Sequence, residues 1–317
     1  MKLSIKDMKI LHELDFNARL PITQIAKRIG LSPEVTSYRI KQLELKGIIK
    51  GYVPMIDIST LGYMFCRFRL IVENLNSDIE EKIISLAKGT PSIGWVIIAG
   101  NSTVGLVLYA KSMREAEKYY SQIATSFPTT IKSKEFSVAH RIYHFRRKYL
   151  YGLKDNEELI WGNDQKVMID AIDREILNNL ITNARVKYTE LALIVKLTPM
   201  AVLNRIKRLK KEKLILGFRS VLDLQKLGYN HHKIYLFFQN ITLSRKETLK
   251  EFLRQELFVV YITEAVGRSD LEFEMHVKTD HEVHTFINKL REQFPEIKSF
   301  EDLIMYREEI IRYFPEE

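Results

Sequence analysis

Residues 7–63 of this 317-residue chain return at 173–229 without a gap, and 21 of the 57 paired positions are identical. A repeat of that length restricts the fold before any local reading, because each copy must bury the same face in the same way. The shared apolar positions have a helical period. Ile10, Leu11 and Leu14 pair with Ile176, Leu177 and Leu180, which gives each copy a first helix with one apolar stripe. In copy one a short second helix turns Ile22, Ile25, Ala26 and Ile29 inward. Gly30-Leu31-Ser32-Pro33 then reads as a helix stop followed by a helix start. Glycine suits a left-handed C-terminal residue, serine an N-cap and proline the first helical position. The next helix buries Thr36, Ile40 and Leu43, spaced by four and three residues. Two helices joined by a tight glycine turn make a helix-turn-helix. Residues 47–53 are β-rich and bounded by glycine, so they are expected to form a small wing.

Asp7, Ile10-Leu11, Asn17-Ala18-Arg19, Ile25-Ala26, Gly30-Leu31-Ser32, Arg39-Ile40, Leu43-Glu44 and Gly47-Ile48-Ile49 together resemble the DNA-binding half of the Lrp/AsnC (feast/famine) regulators. Leu61-Gly62-Tyr63 is similar to that family's entry into its second domain. The resemblance covers nearly the whole chain, twice, and the combination of motifs is specific where any single one is weak.

Downstream of each helical unit the pattern changes to strands. In copy one, residues 66–74, 93–100, 104–111 and 131–143 read as strands and 77–89 and 112–127 as helices. Copy two repeats this with strands at 232–241, 258–266, 270–278 and 297–307 and helices at 244–256 and 280–293. The order βαββαβ is ferredoxin-like, and the family's ligand-sensing RAM domain has the same order. The fold class is therefore α+β, a tandem duplication of a winged helix-turn-helix domain plus a ferredoxin-like RAM-type domain. The expected boundaries are 1–57 and 58–145 for the first pair, 146–168 for a linker, and 169–223 and 224–317 for the second pair. The linker opens with Arg146-Arg147-Lys148, read as a solvated charge run or a phosphate contact. A four-stranded sheet needs cover on its open face, so the two RAM-type domains are expected to pair within one chain as an internal pseudo-dimer.

Charge is segregated. Residues 1–219 hold 36 Lys and Arg against 22 Asp and Glu, whereas 220–317 hold 13 against 18. The basic part contains both helix-turn-helix units, which suits a polyanion. No apolar run approaches the roughly 20 residues of a membrane helix, and no signal segment is visible. The single cysteine, Cys66, suits a reducing cytosol and a core position, so a cytoplasmic location is expected.

The second helix of a helix-turn-helix enters the major groove N-terminus first. That assigns DNA contact in copy one to Ser32, Pro33, Ser37, Tyr38 and Lys41, with Ser37 and Tyr38 toward base edges and Lys41 toward phosphate. In copy two the corresponding set is Thr198, Asn204, Lys207 and Arg208, and residues 205–213 carry six basic residues and one acid. Copy two has Lys196 where copy one has Gly30, and Leu203 where copy one has Ser37. It is therefore expected to hold DNA more by charge than by base reading. For the sensing domain the family resemblance implies a Gly-x-x-Asp hairpin beside an amino-acid site. Copy two keeps it as Gly267 and Asp270, while copy one has Gly100 and Thr103. His276, His281 and His284 lie close together but lack the fourth converging ligand of a metal site. No cofactor motif is present.

These features lead to the expectation of a sequence-specific DNA-binding transcriptional regulator, not an enzyme. An amino acid or another small molecule would modulate it. Two alternatives share the architecture. Siroheme decarboxylases carry a His- and Tyr-rich middle hairpin, which residues 95–108 and 259–276 lack. A scaffold using its winged helices for protein contacts would not need the basic surface.

Overall fold

The computed structural model describes residues 3–127, 130–152 and 157–315. Copy one opens with α1 (Ile5–Phe16), α2 (Ile22–Ile29), α3 (Pro33–Leu45) and β1 (Ile49–Ile56). Ser4 and Asp7 cap α1 reciprocally, Gly30 ends α2 at φ 67°, and the Ser32 hydroxyl accepts from the Val35 amide to start α3. The chain continues through β2 (Met64–Val72), α4 (Ser77–Lys88), β3 (Ile93–Ala99), β4 (Thr103–Ala110), α5 (Met113–Ser126) and β5 (Ile131–Phe145). After β6 (Glu158–Trp161), copy two repeats the plan with α6 (Ala171–Thr182), α7 (Tyr188–Ile194), α8 (Pro199–Lys211) and β7 (Ile215–Leu222). The one-turn α9 (Leu224–Leu227) leads into β8 (Asn230–Phe238), α10 (Leu243–Gln255), β9 (Val259–Val266), β10 (Leu271–Val277), α11 (Asp280–Gln293) and β11 (Ile297–Ile310). Both halves thus have the expected α+β class and βαββαβ order.

The two RAM-type sheets do join within one chain. Strands run β2-β4-β3-β11-β8-β10-β9-β5, and β5 also pairs with β2, so eight strands close a ring. The closure depends on β5 and β11, the longest strands. The first part of β5 pairs with β2 of its own copy, and from Val138 onward it pairs with β9 of the other. β11 likewise pairs first with β8 and then, from Met305, with β3. A register shift sits near each crossing, between Ala139 and Arg141 and between Met305 and Arg307, where an extra residue bends a strand from one sheet into the next. Apolar side chains on the outer faces, such as Leu70, Leu106, Ile234 and Phe273, are covered by the helices of their own copy. Cys66 is fully buried there as a core residue.

The expected wings are not hairpins within each unit. β1 and β7 pair antiparallel with each other, Tyr52 opposite Ser220 and Pro54 opposite Phe218, so one ribbon joins the two helical units. The matched Asn-Ala-Arg triplets lock this junction. The Ala18 amide donates to Phe218 O and the Ala184 amide to Tyr52 O, each at 2.8 Å. Short β segments with nothing to pair inside their own unit find a partner in the other copy.

The segment read as a linker is also built into the fold. β6 adds to β5 where β2 has ended, with Trp161 opposite Ile142. Asp57 accepts from the Gly162 and Asn163 amides at 3.0 Å. Arg146, Arg147 and Lys148 are all buried, neither solvated nor offered to phosphate. For Arg147 the reason is a partner distant in sequence. Arg147 donates to the fully buried Asp15 of α1 at 2.7 Å, and Arg219 of β7 approaches the same carboxylate at 2.8 Å. Burial alone would raise the Asp15 pKa; Arg219 and Arg147 overcome it and hold the group ionised.

Candidate functional site

Two regions concentrate functional chemistry: the exposed faces of α3 and α8, and the interior of the strand ring.

On α3, Thr36, Ile40 and Leu43 are buried and Pro33, Ser37, Tyr38 and Lys41 are exposed, Tyr38 by 64%. Arg39 points back to Asp7 of α1 at 2.9 Å and fixes the angle of the helix. On α8, Val202, Ile206 and Leu209 are buried, while Asn204 and Lys207 are exposed. Thr198 caps α8 as Ser32 caps α3, so both hydroxyls already accept a backbone amide. Arg205 repeats the Arg39 contact, reaching Asp173 at 2.8 Å and Asp170 at 2.7 Å. Arg208 is not presented outward as a phosphate contact. It is half-buried, ion-paired to Asp173 and within 3.3 Å of Glu212.

The units differ again at the turn. Lys196 takes the left-handed conformation of Gly30, φ 54° against 67°. Leu193, Ile194 and Met200 are exposed around it, at 81%, 47% and 62%, where copy one has Lys27, Arg28 and Glu34. Met200 is legible in the sequence as an outward residue of α8, and reading α7 against α2 residue by residue adds Leu193 and Ile194.

The sensing-loop residues do not converge. Gly100 lies in the β3–β4 turn, where its amide donates to Ile304 O of the other copy at 2.9 Å. Gly267, at φ 130°, sits against β5, and an added Cβ would come within 2.5 Å of Phe136 O. Thr103 is buried beside a cleft that also holds Arg69, Glu135 and Arg268. Asp270 is exposed, and its carboxylate accepts the Phe238 amide at 2.7 Å. Among the described residues no three His, Cys, Asp or Glu side chains are placed to hold a metal ion.

The ring encloses a cavity of about 280 Å³, roofed by the β1–β7 ribbon. Its walls are two-sided because the copies diverged at matched positions. Copy one supplies Phe65, Val107 and Tyr109; at the equivalent places copy two supplies His231, Glu274 and His276. Trp161 of β6 packs edge-on to Phe65 at 5.4 Å. On the polar wall Lys233 reaches Glu272 at 3.0 Å and Glu274 at 2.9 Å, and Arg67 donates to Glu272 at 2.8 Å. Burial would raise Glu272, but Lys233 and Arg67 hold it down at about 2. His276 Nδ1 lies 2.7 Å from the Tyr149 hydroxyl, and its ring meets that of His231 edge-on at 4.6 Å. Burial, with Arg219 second, pushes His144 down to about 3, and burial likewise keeps His276 neutral. Burial has the opposite effect on Glu308, raising its carboxyl above 4.5. The sequence signal for this cavity was the polarity difference between matched strands, which no motif search reads.

A winged helix-turn-helix DNA-binding family model matches residues 3–50, and the AsnC-type helix-turn-helix domain matches 169–210. The chain is 32% identical over 109 residues to the regulatory protein AsnC of Haemophilus influenzae, spanning 34% of this chain and 73% of that one. It is 32% identical over 124 residues to the HTH-type transcriptional regulator LrpC of Bacillus subtilis, spanning 38% and 84%. In fold it resembles the siroheme decarboxylase NirDL, solved in co-complex with an iron-uroporphyrin III analogue, at a TM-score of 0.62. That likeness covers 98% of this chain and 94% of the other at 13% identity, so it speaks to fold alone. No helix among the described residues is long and apolar enough to cross a membrane. The helix-turn-helix matches in both copies and the 84% coverage of LrpC show that this chain belongs to the Lrp/AsnC family of transcription regulators, with the family's unit present twice.

Proposed function

We propose that the chain is a cytoplasmic, sequence-specific DNA-binding regulator in which one polypeptide does the work of a dimer, modulated by a small molecule at the paired RAM-type domains. The supporting observation is the β1–β7 ribbon, which fixes two helix-turn-helix units antiparallel to each other. Half-sites read by such a pair are related by the same approximate two-fold axis. Ser37 and Tyr38 of α3 face base edges and Lys41 and Lys207 face phosphates; Asn204 offers a side-chain amide to adenine. The hairpins at Gly100–Thr103 and Gly267–Asp270 are the family's position for an effector, and Asp270 is the group suited to an ammonium. Selection of bound genomic fragments, with and without the twenty amino acids, tests this. Enrichment of a quasi-palindromic site is expected; recovery of unselected fragments alone would overturn it.

A second reading has its own support. The whole-chain fold likeness to a siroheme decarboxylase coincides with a cavity holding two neutral histidines and several cations. Adding iron-uroporphyrin III and recording visible absorbance decides the point: a saturable spectral shift would favour the enzyme.

A further inference from the structure

The central cavity is lined by more hydrogen-bonding groups than the protein itself satisfies. Arg67 and Arg147 line it, and each keeps a buried Nε–H without an acceptor. His144 and His276 line it too, with Nδ1 of the first and Nε2 of the second unmatched. Buried polar atoms are nearly always paired in folded proteins, so orphans that share one void are groups that a bound ligand or water would satisfy. Glu308 also lines the cavity and is solvent-accessible.

The walls also specify the ligand. Phe65, Trp95, Tyr109 and Trp161 make a continuous aromatic side, with Phe65 5.9 Å from Trp95 and 5.4 Å from Trp161. Such a side accepts a ring by offset or edge-on packing. Arg67, Arg147, Arg219 and Lys233 make the cationic side. The guanidinium groups can only donate, and Arg67 and Arg147 each keep an unmatched Nε–H beside their ion pairs with Glu272 and Asp15, so the complement is a hydrogen-bond acceptor, and a carboxylate offers two acceptor oxygens. At about 280 Å³ the space is at the lower edge of small-molecule sites.

We propose that this cavity binds a small planar aromatic carboxylate, its ring against the tryptophan side and its carboxylate toward Arg67 and Arg147. Val53, Met55 and Ile56 of β1 and Leu216, Ser220 and Leu222 of β7 form the roof. The ligand therefore touches the ribbon that ties the helix-turn-helix units together, and occupancy biases their relative setting. That last step rests on the regulator reading; the binding itself does not.

The chain contains two tryptophans, and both line the cavity, so intrinsic emission reports occupancy directly. The full chain, free of DNA, is titrated with benzoate, cyclohexanecarboxylate and benzylamine by emission and by calorimetry. Benzoate is expected to bind saturably and more tightly than either control. Ile97→Trp, which fills the cavity, should abolish binding while the thermal transition persists. Arg67→Lys, which keeps a cation beside Glu272 and removes the Nε–H, should weaken benzoate by about tenfold, the worth of one hydrogen bond to a charged group. Should Ile97→Trp fail to fold, Arg67→Lys still discriminates, since undiminished benzoate affinity in that variant would overturn the proposal. No saturable benzoate signal, or equal affinity for cyclohexanecarboxylate or benzylamine, would overturn the proposal. Benzoate binding to a chain that selects no DNA site would leave the cavity assignment standing and remove the regulator reading alone.

Discussion

Lys196 carries backbone strain that its counterpart in copy one avoids. Both positions are left-handed, at φ 54° and 67°, but only Gly30 lacks the Cβ that makes this conformation unfavourable. Relief of that strain is about 1 kcal/mol, partly offset by the greater freedom glycine gives the unfolded chain. Lys196→Gly is therefore expected to raise stability by about 0.5 kcal/mol, read as the shift of the denaturation midpoint; an unchanged or lower midpoint would contradict it. Glu308 makes a second prediction, with a sign set by pH. Burial raises its pKa in the folded chain above the ordinary 4.5. Its contribution is intact below that value and is lost as pH rises through the folded pKa. Glu308→Gln should thus leave the thermal midpoint nearly unchanged at pH 4 and raise it at pH 7. Asp15 and Glu272 run the other way. Their cationic neighbours lower them, so their stabilisation is full above the normal carboxylate range and disappears as pH falls below it.

At the scale of elements, α3 and α8 have the same frame and different faces. α3 presents small polar and aromatic groups at its start. α8 begins beside the exposed Leu193, Ile194 and Met200 and carries its free charge later, at Lys207 and Lys211. Base contacts discriminate by about 1–3 kcal/mol each, whereas phosphate contacts give affinity without sequence information. Ser37→Ala with Tyr38→Ala should lower preference for a selected site more than binding to random duplex. Lys207→Ala with Lys211→Ala should weaken both alike and reduce the salt slope of log affinity by roughly one to two units. Arg208 is a poor choice for that test, since its loss leaves the buried Asp173 short of a partner. A salt titration of both variants on both duplexes checks the division, and reversed effects would show it to be backwards. These helices were legible in the sequence because capping, turn and 3.6-residue periodicity are local signals. Asn17-Ala18-Arg19 was legible only as a motif. Its purpose, docking on the other copy's strand, depends on a residue about two hundred positions away.

The whole molecule explains why distance along the chain limited the reading. The duplication and the βαββαβ order follow from pattern, and so does the need for each open sheet to find a cover. The closure of the ring does not, nor does the burial of Arg146-Arg147-Lys148, since a basic run looks solvated until the carboxylate that neutralises it is found. Asp15 is that group for Arg147, and it is contributed by α1, over a hundred residues earlier. The same architecture predicts how half of the chain should behave. Residues 1–145 alone keep five helices, β1 and one four-stranded sheet, but lose β7 opposite β1, β11 opposite β3 and β9 opposite β5. Unpaired edges are templates for association, and the inner face with Phe65, Trp95 and Tyr109 would open to water. Two such halves can satisfy each other, since β1 and the end of β5 can pair with their own copies across a true two-fold axis. The self-pair would lack the His231, Lys233 and Glu274 wall and would place Phe65 and Tyr109 on both sides of the cavity. Sedimentation of residues 1–145 is therefore expected to show a dimer or larger species, with more apolar surface accessible to a fluorescent dye than the full chain has. A stable monomer at micromolar concentration would mean that closure between the copies is not what holds each sheet, and the internal pseudo-dimer would lose its physical basis.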